Sequence, residues 1–586
     1  MDKDTATLSN YRDALITRMD LNWMVDMERK KLIGHVKHEV QGLADETGHL
    51  ALDARDLNIE RVEWNGVQTS FAYKKVNEAL GDVINVNLPS PLIKGQTACL
   101  LIVYTTSSSA RALQFLTKEQ TSDKKAPFLF SQCQAIHCRS IIPCQDTPSV
   151  KAPYTATVRV PAGLTCLMSA ISTTSNTNGA TQWEFSFNQS IAVPSYLVAI
   201  VVGVLESRQV GPRSLVWAEG SVVQDAANEF SETEEFLKAG EEICGPYIWK
   251  RYDLVVLPPT FPYGGMENPC LTFVTPTIMS GNKSLVGVVA HEIAHSWTGN
   301  LVTTCNWDHF WLNEGFTVYV ERLILEKNLK DVIATFPVKE HTKLRLILGG
   351  IDPDDAFSSI PYEKGSSLLL WIEQNVLTEE DKKTFMKEHV ERHCGQAIDT
   401  ESWLLAMEKR YAKMNNESVQ KIVRDWLYNE GMPPTHPEFT DTSLCTECEM
   451  VTREIICTAL PSAISFIHLT AGQQIFVLHS LKTYCPLEHS KLEKLSSSSF
   501  AISSSTNCEI LFTWLQICLL SRWEPSIIAA LSFAKKYGRL KYCKKTYDEL
   551  FKWNMSRDAA IAQFRQESPN MHPITIQQVE GLIKRL

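Results

Sequence analysis

Long apolar runs are absent from this chain, and with them any stretch suited to cross a bilayer as a helix. The most hydrophobic segment, IAVPSYLVAIVVGVL from Ile191 to Leu205, falls short of the roughly 20 residues a span requires and carries Pro194 near its start, so a buried strand is expected and stable membrane insertion is not. The N-terminal MDKDTATLSNYRDALITRMD lacks the apolar core and small-residue cleavage site of a secretory signal, which makes the cytoplasm the expected compartment. Excess positive charge is missing too. With 57 Lys and Arg against 67 Asp and Glu the formal net charge is -10, which argues against general nucleic-acid binding and leaves small substrates open. Regularly paired cysteines are lacking: the 16 thiols are scattered, and the lone CTEC pair, Cys445 and Cys448, has no second pair to complete a zinc ribbon. Reduced, mostly buried thiols are the expectation.

What is present is an ordinary globular composition, 44% hydrophobic and 21% charged, in 586 residues, too many for one core and enough for three or four domains. The first two hundred residues alternate with period two: in TATVRV, Ala156, Val158 and Val160 face one way while Thr157 and Arg159 face the other. This part reads as antiparallel sheet. From about Ser231 the spacing becomes helical and stays so through DKKTFMKEHVERH, predicting a mainly helical middle region. A proline cluster, GMPPTHPEF, ends it as a linker. Beyond the serine-rich SSSSFAISSS, segments such as EILFTWLQICLL and PSIIAALSFAKKYG predict packed helix pairs, without a strict repeat. The expected organisation is α+β and multidomain: an N-terminal β-sheet domain over 1–204, a mainly helical catalytic domain over 205–438 and an α-helical domain over 439–586.

The segment VVAHEIAHSWTGN, residues 288 to 300, places ionisable groups among apolar ones. On a helix, residues four apart share a face, so His291 and His295 can present two imidazoles to one ion, with Glu292 beside it. Leu285, Val288, Val289 and Trp297 supply apolar positions, Asn282 is a candidate N-cap and Gly299 a candidate stop. A catalytic zinc takes three protein ligands and leaves one position open. Glu314 of FWLNEGFTVYVERL follows His295 after eighteen intervening residues, in an apolar helical setting where an unpartnered carboxylate is costly. The pattern predicts one zinc on His291, His295 and Glu314, with Glu292 as general base.

The motifs GGMEN (264–268), HEIAHSWTGN and WLNEGF resemble those of the gluzincin aminopeptidases. SQCQAIHCRSIIPCQDTPSV, PPTFPYGGMENPCLTFVTPT, PYEKG and GRLK narrow the resemblance to the branch that also opens the lipid epoxide leukotriene A4. The resemblance runs over about 50–315, 351–435 and 508 to the end, but not through 326–348 or 440–507. It implies a saddle-like β domain, a thermolysin-like catalytic domain and a C-terminal helical domain resembling armadillo or HEAT repeats. It further implies that Glu267 reads the substrate ammonium with help from Gln134, alongside Gly264, Gly265 and Met266; that Tyr362 stabilises the oxyanion; and that Arg539 and Lys541 anchor a substrate carboxylate. Asp354 of GIDPDDAF would position water in the epoxide reaction. The expected substrates are short peptides with a free N-terminus and leukotriene A4, giving leukotriene B4, acted on by a monomer. Two departures stand out: Phe357 where the branch usually carries tyrosine, and a shorter stretch after the Glu314 helix. The rival expectations are an aminopeptidase without the lipid activity and a non-catalytic scaffold; Glu267 disfavours an endopeptidase.

Overall fold

The computed structural model describes residues 3–325, 342–435, 437, 443–458 and 463–586. Alternating apolar residues make the N-terminal region a set of sheets. The largest has eight strands, ordered Ile171–Asn176, Gln182–Pro194, Lys151–Pro161, Ala14–Asp26, Lys31–Gly42, Thr97–Thr105, Asn58–Trp64 and Val67–Gln68. Ala156, Val158 and Val160 turn inward as their spacing predicts. One pairing departs from an antiparallel sheet: Ala14–Asp26 and Lys151–Pro161 run parallel, with Trp23 opposite Val158. The intervening chain builds a three-stranded sheet and the first two strands of a four-stranded one, Leu113–Leu116 and Phe128–Ser131, before it returns, and that long crossover is what parallel pairing requires. The 191–205 run divides into the end of Gln182–Pro194, a 3-10 turn over Ser195–Leu197 and a short buried strand, Ile200–Gly203.

The middle region is less uniformly helical than its periodicity suggests. It opens with a five-stranded sheet, Glu206–Gly211, Ser214–Ala218, Asp253–Val256, Leu271–Val274 and Gly265–Met266. Two of these strands, DLVV and LTFV, are four residues long and almost wholly buried, so no in-and-out alternation marks them and periodicity cannot distinguish them from buried helix. Helices follow at Gly287–Ala294, Trp311–Ile324, Ile360–Asn375 and Glu379–His393.

One continuous apolar core extends from Ala6 to Leu427, so the β region and the middle region interlock through shared side chains. Lys151 strengthens that junction, its Nζ donating to the carbonyls of Asn300, Leu301 and Gln396 at 3.2, 3.0 and 3.3 Å. Arg139 is fully buried and ties Asp146 Oδ2 (2.9 Å) to the carbonyls of Leu80 and Ala6. The later helices have two cores of their own, one around Leu478 and Trp514, the other around Phe533 and Tyr547. They dock through backbone: Gly538 N–H donates to Pro259 O (2.8 Å) and Leu540 N–H to Pro262 O (2.7 Å). Every described cysteine is a free thiol, and no helix among the described residues is long and apolar enough to cross a membrane.

Candidate zinc site and substrate cleft

The helix bearing the two histidines is short, Gly287–Ala294, and His295 closes it as C-cap in right-handed helical conformation. Asn282 does not cap it; Val286 occupies that position, and Asn282 Oδ1 instead accepts from Ser284 N at 3.1 Å. Gly299 is not its stop either. At φ +129° it turns the chain back beneath His295, where a Cβ would come within 2.8 Å of that residue's Nδ1. This return places Thr298 O 2.9 Å from His295 Nδ1, and Thr317 Oγ1 lies at 3.0 Å. His291 Nδ1 donates to Glu321 Oε2 at 3.0 Å. Both rings therefore keep Nε2 free and aimed inward.

Glu314 comes from the neighbouring helix, Trp311–Ile324, which approaches Ile360–Asn375 so closely that the Cα of Gly365 would lie 2.8 Å from a Cβ on Gly315. Its Oε2 is buried, lacks a hydrogen-bond partner and lies 3.4 and 3.3 Å from Nε2 of His291 and His295, which are 3.1 Å apart. Tetrahedral zinc with bonds of about 2.0–2.1 Å has ligand-to-ligand edges of about 3.3–3.4 Å, so the three atoms fit one face of such an ion. The donor set, two imidazoles and a carboxylate, suits zinc equally well.

Glu292 faces this niche from the side, with Glu267 close by: one ligand atom each from Glu267, Glu292 and His295 lies within 4.8 Å of the others. Burial pushes the Glu292 carboxyl up to about 8 and raises that of Glu267, so the pocket favours cations. Gln134 Nε2 donates to Glu267 Oε1 at 3.4 Å, and Asn300 Nδ2 holds the Glu267 carbonyl at 2.8 Å. Gly265 is what admits Glu292, since a Cβ there would meet its Oε1 at 2.3 Å. The Met266 side chain is buried in the core, where its Sδ accepts from Gln132 Nε2 at 3.2 Å. Tyr362 lies over His291, ring centroids 6.1 Å apart; burial raises its phenol well above the ordinary range and keeps it a proton donor.

A cavity of about 500 Å³, counting space open to solvent, extends from Gln134 past Trp307, Phe310 and Leu348 to Asp354 and Phe357. The three acids of IDPDD divide their work. Asp352 caps the 3-10 turn Pro353–Ala356, Asp355 is exposed, and Asp354 accepts from His137 Nε2 at 2.7 Å. Phe357 stands half in solvent with its ring 6.1 Å from those of Tyr263 and Tyr362. The stretch expected to be shorter after the Glu314 helix lies largely at 326–341, outside the described residues. On the opposite side Arg539 abuts Gly264, its Nη2 only 2.7 Å from where a Cβ would stand. Lys541, two residues on in the first turn of the helix Leu540–Lys552 that Arg539 precedes, is half exposed. Lys535 pairs with Glu567 and Lys544 with Gln578, so those two lysines serve the helical region itself.

Family models match all three regions: the peptidase M1 N-terminal domain over 10–197, the peptidase family M1 domain over 228–426, and the C-terminal domain of leukotriene A4 hydrolase over 469–583. The chain is 39% identical to leukotriene A-4 hydrolase of Xenopus laevis, covering 98% of each protein. The chain belongs to the M1 peptidase family, in its leukotriene A4 hydrolase branch. It is also 35% identical to leucine aminopeptidase 2 of Yarrowia lipolytica, over 98% of this chain and 92% of that one. The solved structure of yeast leukotriene A4 hydrolase with bestatin superposes with a TM-score of 0.91 at 30% identity, covering 100% of this chain and 97% of the other. Zinc is the metal of this family, in agreement with the fit of the niche.

Three contributors to this M1 peptidase's cleft escaped the sequence reading. Glu321 had a signal: it lies two helical turns beyond Glu314 and so on the same face. His137 lay within a quoted motif, but its partner Asp354 is 217 residues away and no local pattern joins them. Glu509, bonded to Lys541, comes from a helix start that no site motif marks.

Proposed function

We propose that this M1 peptidase releases N-terminal residues from short peptides, and that the same cleft hydrolyses the lipid epoxide leukotriene A4 to leukotriene B4. The observation that carries the peptidase reading is the buried Glu267 beside Glu292 and His295. An uncompensated carboxylate there is costly, and the free ammonium of a peptide is the cation an exopeptidase must recognise. Held by His291, His295 and Glu314, zinc would supply a Lewis acid and lower the pKa of water in its open position.

The protein's own groups carry the remaining steps. Glu267 and Gln134 hold the substrate ammonium, which sets the scissile carbonyl one residue in from the chain end. Glu292 takes the proton of the attacking water and returns it to the departing amine. Tyr362 donates its phenolic proton to the developing oxyanion. Arg539, in the basic patch it shares with Lys541, receives the carboxylate at the far end of the peptide.

The apolar cavity ending at Asp354 supports the lipid activity: its aromatic and aliphatic walls suit an acyl chain, and the one carboxylate at its end suits the delivery of water. The relatives' names divide on this point, leukotriene hydrolase for one and leucine aminopeptidase for another. Two assays test the proposal. Zinc-loaded protein should cleave leucyl-p-nitroanilide and leave its N-acetyl form intact; equal turnover of both would refute recognition of the ammonium by Glu267. Incubation with leukotriene A4 should yield leukotriene B4 above the non-enzymatic background, and Asp354→Asn should abolish that product while sparing the peptidase. Peptidase turnover without leukotriene B4 would confine the protein to its peptide chemistry.

A further inference from the structure

The carboxylate end of the cleft contains a carboxylate of its own. Glu509 is nearly buried at the start of the helix Cys508–Leu520, and that start is pinned to the loop preceding the zinc helix: Thr506 Oγ1 donates to Ser280 O (3.0 Å) and Asn507 Nδ2 to Ser284 Oγ (2.9 Å). Lys541 Nζ donates to both Glu509 oxygens, at 2.8 and 2.7 Å. Arg539 reaches Glu509 through Nη1 (3.4 Å), and the same nitrogen donates to Tyr542 OH (3.1 Å), which donates to Glu509 Oε1 (3.0 Å). Among the described residues, all side-chain hydrogen bonds of Arg539 leave from Nη1, and its Nη2 faces Gly264. Burial alone would raise the Glu509 carboxyl, but Lys541 and Arg539 hold it down at about 2, fully charged. Lys482 and Lys545 add to the positive field around Lys541.

We propose that Glu509 is a specificity-setting residue of this end: it occupies Lys541 and one nitrogen of Arg539, so that the outer edge of Arg539 alone reads the substrate carboxylate. Exposure agrees with this division, since the Lys541 side chain is 46% exposed and that of Arg539 only 12%. Desolvated guanidinium edges bind carboxylates with directional strength that a solvated ammonium lacks. Glu509 thereby weakens the general attraction of the patch for anions and leaves one directional contact in place.

The inference rests on the assignment of Arg539 and Lys541 as a carboxylate anchor, and the test separates the two. Steady-state kinetics on zinc-loaded full-length enzyme would compare a tripeptide free acid with its C-terminal amide. If the wild type shows no preference for the acid, the anchor assignment fails. If it does, Glu509→Gln should lower KM for the acid about five- to tenfold at low salt and steepen its salt dependence, with the amide changed less than about twofold. The double variant Glu509→Gln with Lys541→Met should return the acid-to-amide ratio to within about twofold of wild type. Turnover of the amide certifies folding, and Glu509→Met carries the same test should the Gln variant misfold. Parallel shifts in acid and amide, an unchanged acid KM, or lost discrimination in the double variant would overturn the inference.

Discussion

Adding one methyl group at Gly265 tests the placement of the proposed base without touching any proposed metal ligand. The built Cβ falls 2.3 Å from Glu292 Oε1, 2.6 Å from its Cδ and 2.7 Å from its Cγ. Ordinary contact begins near 3.4 Å, so the Glu292 carboxylate must withdraw by about 1 Å; it is 5% exposed and has little room to do so. A misplacement of about 1 Å at a reacting group costs on the order of 10²-fold in rate, equivalent to about 2.7 kcal/mol. His291 is held from the other side by Glu321, and His295 by Thr298 and Thr317, so zinc should remain bound. Gly265→Ala is therefore expected to lose about 100-fold in kcat on leucyl-p-nitroanilide with one equivalent of zinc by elemental analysis, and overpacking should cost about 1–3 kcal/mol of stability. Turnover within about threefold of wild type at full zinc occupancy would refute the role of Glu292 as a precisely placed base. Loss of zinc would show that the helix yields before the side chain does.

The neighbouring glycine should give a different phenotype: in Gly264→Ala the new methyl meets Arg539 Nη2, which should raise KM for a tripeptide acid about tenfold and leave its amide unaffected, as paired kinetics would reveal. Glu321→Gln weakens the partner of His291 Nδ1 and should reduce zinc affinity about 10- to 100-fold, measured by competition with a chromogenic chelator; unchanged affinity would show that Glu321 does not tune the ligand. Burial lowers Lys151 from an ordinary 10.5 to about 7, so between those values the unfolded chain binds the additional proton and Lys151 makes stability rise with pH. The urea midpoint of wild type should accordingly rise from pH 7.5 to 9.5 more than that of Lys151→Met, and parallel slopes would show that the ammonium stays charged in its ring of carbonyls.

The zinc niche was legible because its geometry is local: two histidines one turn apart, then a carboxylate in a helix too apolar to leave it unpaired. The strand pattern of TATVRV was legible for the same reason, a period visible within six residues. DLVV and LTFV were not, because full burial erases the alternation that identifies a strand. The cap predicted at Asn282 failed on loop conformation: the chain needs four more residues to turn before Gly287, and the asparagine is used within that turn. Tertiary pairings such as His137 with Asp354 and Glu509 with Lys541 join segments that leave no trace in one another's sequence. The resemblance identified Arg539 and Lys541 together, and only the structure distinguishes the buried fork from the half-exposed ammonium.

The docking of the helical region against residues 259–262 also has a mechanical side. Proline has no N–H, so the main chain at Pro259 and Pro262 can offer this seam only its carbonyls, and the matching donors come from Gly538 and Leu540. The distance between the zinc end and the Arg539 end of the cleft is thus gauged by main chain on both sides, and most side-chain replacements along this seam leave the gauge unaltered. Gly538 is where it can be forced: a Cβ there would press within 2.8 Å of Thr260 Cα, backbone against backbone, with no flexible side chain to yield. A single methyl at that position acts as a wedge, and the span it opens sets how far Arg539 stands from the metal.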